Sequence, residues 1–380
     1  MSFVCERCGN DDERYVGVLN GRQYCRKCIT FKGKEVEYEK PSPKEAPLNL
    51  HYSLSQEQAK LSEEIVSNYK KGIDTLVYAV CGAGKTEISY ALISHAIYNG
   101  LTVGFALPRR DVVIELYWRI KDAFPKNKIV AVYGQHTNNL QGDIVILTTH
   151  QLYRYKNYFD LLIMDEIDAF PFKDNEVLIA MYKRSVRGNV LLMSATPSDT
   201  VLNEFKKEGH AILELRTRFH KKEIPVPVCK IMPKFLMFFY VLCKLKKYKK
   251  EHKPVFIFTP TIELCETIYF KLSKFVKGGE YVHSKREKRG EIIGNFKNNQ
   301  YSYLVTTSVL ERGVTFKNLQ VIVLEADEES IYNSATLIQI AGRVGRKMDA
   351  PGGDVIFLAE IETLSIRRAI DEIKFCNTFL

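Results

Sequence analysis

Nowhere does this 380-residue chain run to the roughly 20 consecutive apolar residues that a bilayer-spanning helix needs. Its longest apolar candidate, Phe235 to Cys243, reads instead as a buried helix segment. The opening Met1-Ser-Phe-Val-Cys5 offers neither the basic nor the apolar region of a secretory signal. These absences argue against a helical membrane protein and predict a cytoplasmic one. Acidic residues are in deficit: 45 Asp and Glu against 55 Lys and Arg leave a net charge of +10, which favours a polyanionic partner such as nucleic acid. A chain that is 46% hydrophobic and 26% charged is not dominated by disorder. Its length exceeds one comfortable core, so two main domains and a small appendage are expected.

Nine cysteines are present, and four fall within the first 28 residues. Cys5-Glu-Arg-Cys8 and Cys25-Arg-Lys-Cys28 are separated by sixteen residues, a spacing that belongs to zinc sites. In a reducing compartment metal is the better reading than disulfides. Each pair aims two thiolates at one point, and four sulfurs close a tetrahedral Zn²⁺ site of structural type. Residues 1–40, read as this module, are too few for a core, so metal would supply most of their folding free energy. Arg7, Arg14, Arg22, Arg26 and Lys27 are offset by Asp11, Asp12 and Glu13, which leaves nucleic-acid binding and protein docking both open. The proline-punctuated run from Lys40 to Pro47 predicts a linker, residues 41–53.

The stretch Ala79-Val-Cys81-Gly82-Ala83-Gly84-Lys85-Thr86 reads as a phosphate cradle. A short apolar strand precedes it and a helical pattern, Glu87 to Ile97, succeeds it, so backbone N–H groups and a helix N-terminus would surround a polyphosphate. Lys85 would sit on the outer phosphates of ATP and the Thr86 hydroxyl on Mg²⁺. Cys81 is read as a small residue beside the cradle. Gln58, one strand upstream, is placed to read the adenine edge. Apolar runs alternating with helical ones, at Leu101 to Leu107, Ile129 to Tyr133, Ile144 to Thr148, Leu161 to Met164 and Val190 to Met193, imply a parallel sheet across residues 54–215. Ligands of such sheets collect at the carboxyl ends of the strands. There stands Asp165-Glu-Ile-Asp168, with Asp165 assigned to Mg²⁺ and Glu166 to orienting and deprotonating the attacking water. Ser194 and Thr196 would hydrogen-bond toward Asp165 and Asp168 and relay the state of the nucleotide.

Residues 216–229 read as a hinge, and the same alternation recurs in 230–380, with strands at Val255 to Phe258, Tyr303 to Thr307, Val321 to Leu324 and Val355 to Leu358. Thr306 and Thr307 lead into a tight turn at Gly313, suited to phosphates of ATP or of a bound strand. Gln339-Ile-Ala-Gly342-Arg343-Val-Gly-Arg346 puts two arginines on one side of a helical turn. They would neutralise charge developing on the γ-phosphate, with Gln339 helping to place the water.

In order and spacing these motifs resemble the motor core of superfamily 2 helicases and translocases. The resemblance implies two RecA-like domains, with ATP between them and single-stranded nucleic acid across both. By position it assigns strand contacts to Pro108, Arg109, Thr149, His150, Thr306 and Thr307. With the four-cysteine module ahead of the first motor domain, the chain is similar to the ComFA-type competence ATPases, although Thr315 stands where many helicases carry Asp. That similarity implies single-stranded DNA, a membrane DNA-uptake channel and other competence proteins as partners, met at the cytoplasmic face of the membrane. Self-association, duplex unwinding in replication restart or repair, and a nucleotide-gated scaffold role stay open at this stage.

Overall fold

The computed structural model describes residues 3–50, 53–80, 82–167, 175–219, 221–311 and 316–380. They fall into two compact units, residues 1–79 with 84–215, and residues 216–380 with 80–83.

The first unit begins with a hairpin, β1 (Val16–Leu19) and β2 (Arg22–Cys25). Asn20 and Gly21 close it with φ of 51° and 75°, the left-handed pair that a two-residue hairpin turn requires. After it come α1 (Gln56–Lys70), β3 (Thr75–Ala79), α2 (Lys85–Ile88), α3 (Tyr90–Tyr98), β4 (Val103–Leu107), α4 (Arg110–Ala123), β5 (Ile129–Val132) and β6 (Ile144–Thr148). The unit continues through β7 (Phe159–Asp165), α5 (Glu176–Ser185), β8 (Val186–Ser194), α6 (Asp199–Lys207) and β9 (Ala211–Leu215). Its sheet is parallel, in the order β5-β6-β4-β7-β8-β3-β9. The central strands β4 and β6 are buried at every residue, as apolar runs without alternation require when helices cover both faces.

Just past the hairpin, the chain is fastened to this larger sheet. Residues 31–38 run along the 3-10 helix Thr149–Arg154. Val36 N–H donates to Arg154 O at 2.7 Å, Arg154 Nη1 to Lys34 O at 3.0 Å, and Tyr153 Oη to Lys32 O at 2.5 Å. Glu35 accepts from Arg184 at 2.8 Å and from Arg7 at 3.2 Å. Burial raises the pKa of that carboxyl, but the two guanidiniums outweigh it and hold Glu35 below the usual range. Phe31 stacks on His150 with centroids 6.1 Å apart. Gly33, at φ 149°, passes so close to the helix that a Cβ there would collide with Arg154 Nη1 and Tyr153 Oη. The proline-punctuated stretch is held too: Lys44 N–H donates to Ile97 O at 3.2 Å, Ser94 Oγ to Ala46 O at 2.9 Å and Asn49 N–H to Ala123 O at 2.9 Å.

The second unit contains β10 (Val228–Ile231), α7 (Lys234–Lys250), β11 (Val255–Phe258), α8 (Ile262–Ser273), β12 (Gly279–Val282) and α9 (Arg289–Lys297). Next are β13 (Tyr303–Thr306), β14 (Gln320–Val323), α10 (Ser334–Ala341), β15 (Val355–Ala359) and α11 (Leu364–Asn377). The sheet is again parallel, ordered β10-β15-β14-β11-β13-β12. Two RecA-like parallel-sheet domains with an N-terminal cysteine cluster are the fold class expected. The expectation of a buried segment at Phe235 to Cys243 needs correction. It is helical, but Phe235 and Phe239 are 70% and 59% exposed, and within it only Met237 and Val241 are buried. A helix lying on one face of a sheet turns residues four apart to the same side, and 235 and 239 face solvent.

Gly33→Ala is expected to lift residues 31–38 from the helix beneath them. Trypsin cleavage after the exposed Lys32 and Lys34 should quicken several-fold, and the melting temperature should fall by about 2–4 °C for each kcal/mol lost. Unchanged cleavage would show that this close approach does not hold the module down.

Candidate functional site

The phosphate loop starts where β3 stops. Ala83 N–H turns back to Val80 O at 3.1 Å, and Gly82 and Gly84 take φ of 85° and 80°, values only glycine adopts freely. Gly84 caps α2, so the first N–H groups of that helix face the loop. The single helix expected from Glu87 to Ile97 is broken once, at Ser89, whose hydroxyl donates to Thr86 O at 2.6 Å. Thr86 is buried, while Lys85 is half-buried at the loop.

Two neighbours brace the loop from below. Gln58 is 4% exposed, and its amide oxygen accepts from Ser55 N–H at 2.9 Å in the capping box that opens α1. Its Nε2 lies so near Gly84 that a side chain at that glycine would overlap it. The polar edge expected to read adenine is thus also a structural cap. Glu87 reads from the sequence only as a helix residue. It is buried against the loop and bonded to Arg119, whose guanidinium it holds above its ordinary pKa against the opposing effect of burial. An acidic residue straight after Lys-Thr is the one sign of this pair that the sequence carries.

Opposite the lysine stands the end of β7. Asp165 Oδ1 is 3.7 Å from Lys85 Nζ, each side chain about one-seventh exposed, at 15% and 14%. Glu166 takes φ 61°, a left-handed value that costs a non-glycine residue about 1–3 kcal/mol and recurs at functional sites. Its N–H nevertheless stays on the sheet, donating to Met193 O at 3.0 Å, and reaches Asp165 Oδ1 at 2.9 Å. The kink therefore ends β7 at the point where two consecutive carboxylates leave the sheet. Next to it on β8, Ser194 is fully buried and its Oγ accepts from Thr196 N–H at 3.0 Å. Cys81, Asp168 and Gly313 lie outside the described residues.

The residues assigned to strand contacts are unequal in accessibility. His150 is exposed and Arg109 half-buried at the start of α4, whereas Pro108 and Thr149 are buried. In the second unit Thr306 is fully buried and donates to Val282 O at 2.9 Å, while Thr307 is half-buried. Gln339 is on α10, 4% exposed. Arg343 and Arg346 are not on a helical turn, as expected from their spacing. The helix stops at Ala341 with Gly342 as its C-cap, so both arginines stand beyond it, with Gly345 at φ 70° between them. Arg343 Nε donates to Glu311 O and Arg346 Nε to Gly342 O, both at 2.8 Å.

Among the described residues the one cluster fit for a metal ion is Cys5, Cys8, Cys25 and Cys28. Ligands about 2.3 Å from a tetrahedral zinc stand about 3.8 Å from one another. The sulfurs of Cys5 and Cys28 are 3.5 Å apart, those of Cys8 and Cys25 are 3.6 Å apart, and all four lie within 4.8 Å. The donor set fits Zn²⁺. Burial pushes the Cys8 thiol up to about 11 and Cys28 higher still, so a dication would be needed to hold these two as thiolates. One zinc per chain is the expected stoichiometry, read by a chromogenic chelator after thiol-specific release. Cys28→Ser should abolish it and lower the melting of the whole first unit, because residues 31–38 tie the cluster to the sheet; a metal-free cluster of normal stability would refute the assignment.

Known proteins resemble this chain in sequence and in fold. The family model described as DEAD/DEAH box helicase matches residues 56–205, and the helicase conserved C-terminal domain matches residues 237–348. Competence protein ComFA of Streptococcus pneumoniae is 35% identical over 99% of this chain and 90% of its own length. The ComFA protein of Bacillus subtilis is 34% identical over 99% of this chain and 86% of its own. In fold, a variant of S. cerevisiae Dbp5 bound to RNA and ADP BeF3 superposes with a TM-score of 0.66 at 16% identity, covering 88% of this chain and 94% of that one. Helicase domains of this kind imply ATP with Mg²⁺. Glycine loop, strand-end carboxylates, cysteine cluster and near full-length similarity converge: the chain is a nucleic-acid-dependent ATPase of the helicase type and belongs to the ComFA family.

Proposed function

We propose that this chain is an ATP-driven translocase on single-stranded DNA, and that it works in the uptake of transforming DNA. The observation that carries the reading is the similarity to two competence proteins along 99% of the chain, cysteine module included, combined with the lysine and carboxylate pair at the phosphate loop. Lys85 and the N–H groups of residues 82–86 bind the phosphates, and Thr86 with Asp165 would hold Mg²⁺, which supplies charge neutralisation on the β- and γ-oxygens. Glu166 takes the proton of the attacking water. Gln339 orients that water, and Arg343 with Arg346 meets the charge that develops in the transition state. Arg109, His150 and Thr307 are the accessible members of the strand-binding set, and they contact backbone phosphate and stacked bases without sequence preference. Ser194 and Thr196 relay the state of the nucleotide. Partners on this reading are single-stranded DNA and the proteins of a membrane uptake channel. Among the described residues no helix is long and apolar enough to cross a membrane.

The test is ATP hydrolysis with and without single-stranded DNA. Addition of the strand is expected to raise kcat, Lys85→Ala to lower the stimulated rate by about 10²–10³-fold and Glu166→Gln by a similar factor. Affinity for the strand should fall with salt at a log–log slope of about −0.7 per phosphate contacted. Turnover indifferent to any polynucleotide would defeat the proposal, and efficient strand separation on a forked duplex would replace translocation by unwinding.

A further inference from the structure

A buried cation sits on the segment that leads into the second sheet. Arg218 is 1% exposed and, with Arg343, heads the largest fully buried side chains of the described residues. Its guanidinium donates from Nη1 to Val344 O and Gly345 O, both at 2.9 Å, and from Nη2 to Gly342 O at 3.2 Å. Removing such a group from water is costly unless its donors are met. Here they are met by carbonyls at and beyond the C-terminus of α10, the negative end of the helix dipole.

These acceptors have a particular place in the chain. Residues 342, 344 and 345 are interleaved with Arg343 and Arg346, so the backbone between the two arginines is what Arg218 grips. Gly342 O also accepts from Arg346 Nε at 2.8 Å, which makes it a shared acceptor of Arg218 and Arg346. The turn itself has little stiffness, with glycine at 342 and a left-handed glycine at 345. At Gly345 any side chain would collide with Pro351 O and come to 3.2 Å from Arg218 Nη1. A planar guanidinium with donors in a fixed fork is a template that the two glycines lack, and lysine does not reproduce it.

Resting on the proposed function, in which Arg343 and Arg346 serve the γ-phosphate, we infer that Arg218 is a positioning residue for hydrolysis. It sets the 342–346 turn and acts on the reaction through the two arginines that the turn carries. Motif spacing gives no sign of it, since it lies in the stretch read as a hinge.

Arg218→Lys and Arg218→Gln test this beside Arg343→Ala, with DNA-stimulated ATPase, affinity for a fluorescent ATP analogue and thermal unfolding measured for each. Both Arg218 variants are expected to lose about 10²-fold in kcat, the loss that a misplacement of about 1 Å produces, with Lys the less affected. Their KM and nucleotide affinity should stay within about threefold of the parent, since uniform binding is untouched. A near-normal kcat in both variants overturns the inference. So does a loss of kcat matched by equal losses of nucleotide affinity and melting temperature, which marks a purely structural role. Arg343→Ala separates the two claims: if it keeps full activity the arginine reading itself falls, and if it is inactive while both Arg218 variants are normal only the role of Arg218 falls.

Discussion

Parallel strand pairing is the constraint from which the chemistry of the first unit derives. When every strand runs the same way and both faces are covered, all carboxyl ends meet at one edge, and the loops there have to carry whatever polar groups the sequence supplies. Register then decides which groups meet. Tyr78 on β3 pairs with Ser194 on β8, and Asp165 on β7 pairs with Met193, one residue earlier. The glycine loop, the two acidic residues and the serine therefore emerge side by side from three adjacent strands. A shift of one strand by two residues would move Asp165 by about 7 Å, and the 3.7 Å approach of its carboxylate to Lys85 would vanish.

Charge is handled in two ways. At the phosphate loop the ionised groups are balanced against each other, Lys85 with Asp165 and the buried Glu87 with the more exposed Arg119. In the second unit, Arg218 and Arg343 are almost wholly out of water and hydrogen-bond to backbone carbonyls. A pair of side chains can part when a polyphosphate displaces one partner. Arg218, whose guanidinium grips three carbonyls, does not adjust, and so defines a shape.

Much of this is legible in the sequence, for a physical reason. Strands buried on both faces, such as Ile144–Thr148 and Val255–Phe258, carry short unbroken apolar runs, and their alternation with helical stretches marks a parallel sheet. The strands β9, β10 and β12 escape recognition: all three lie at sheet edges, and β10 exposes three of its four residues. An edge strand needs few apolar residues and gives a faint pattern. The glycine loop and the carboxylates stand out because chemistry fixes their residue types. Gln58 and the two arginines of the second unit are legible as residues but not as geometry. A glutamine three positions after a serine also writes a capping box, and Gly342 caps the helix before either arginine is reached. Arg218 and the docking of residues 31–38 are invisible, because Arg218 rests on backbone carbonyls and the docking joins carbonyls and side chains more than 110 residues apart, neither of which leaves a local pattern.

The hydrogen bond from Arg154 to Lys34 O joins residues 120 apart in sequence, with the cysteine hairpin on the early side. During synthesis the hairpin leaves the ribosome long before the helix that residues 31–38 lie against has been made. For that interval it has no surface to lean on, and an ion held by its four sulfurs would be its means of keeping a shape. The four cysteines would thus matter at birth, before the sheet on which the module docks exists.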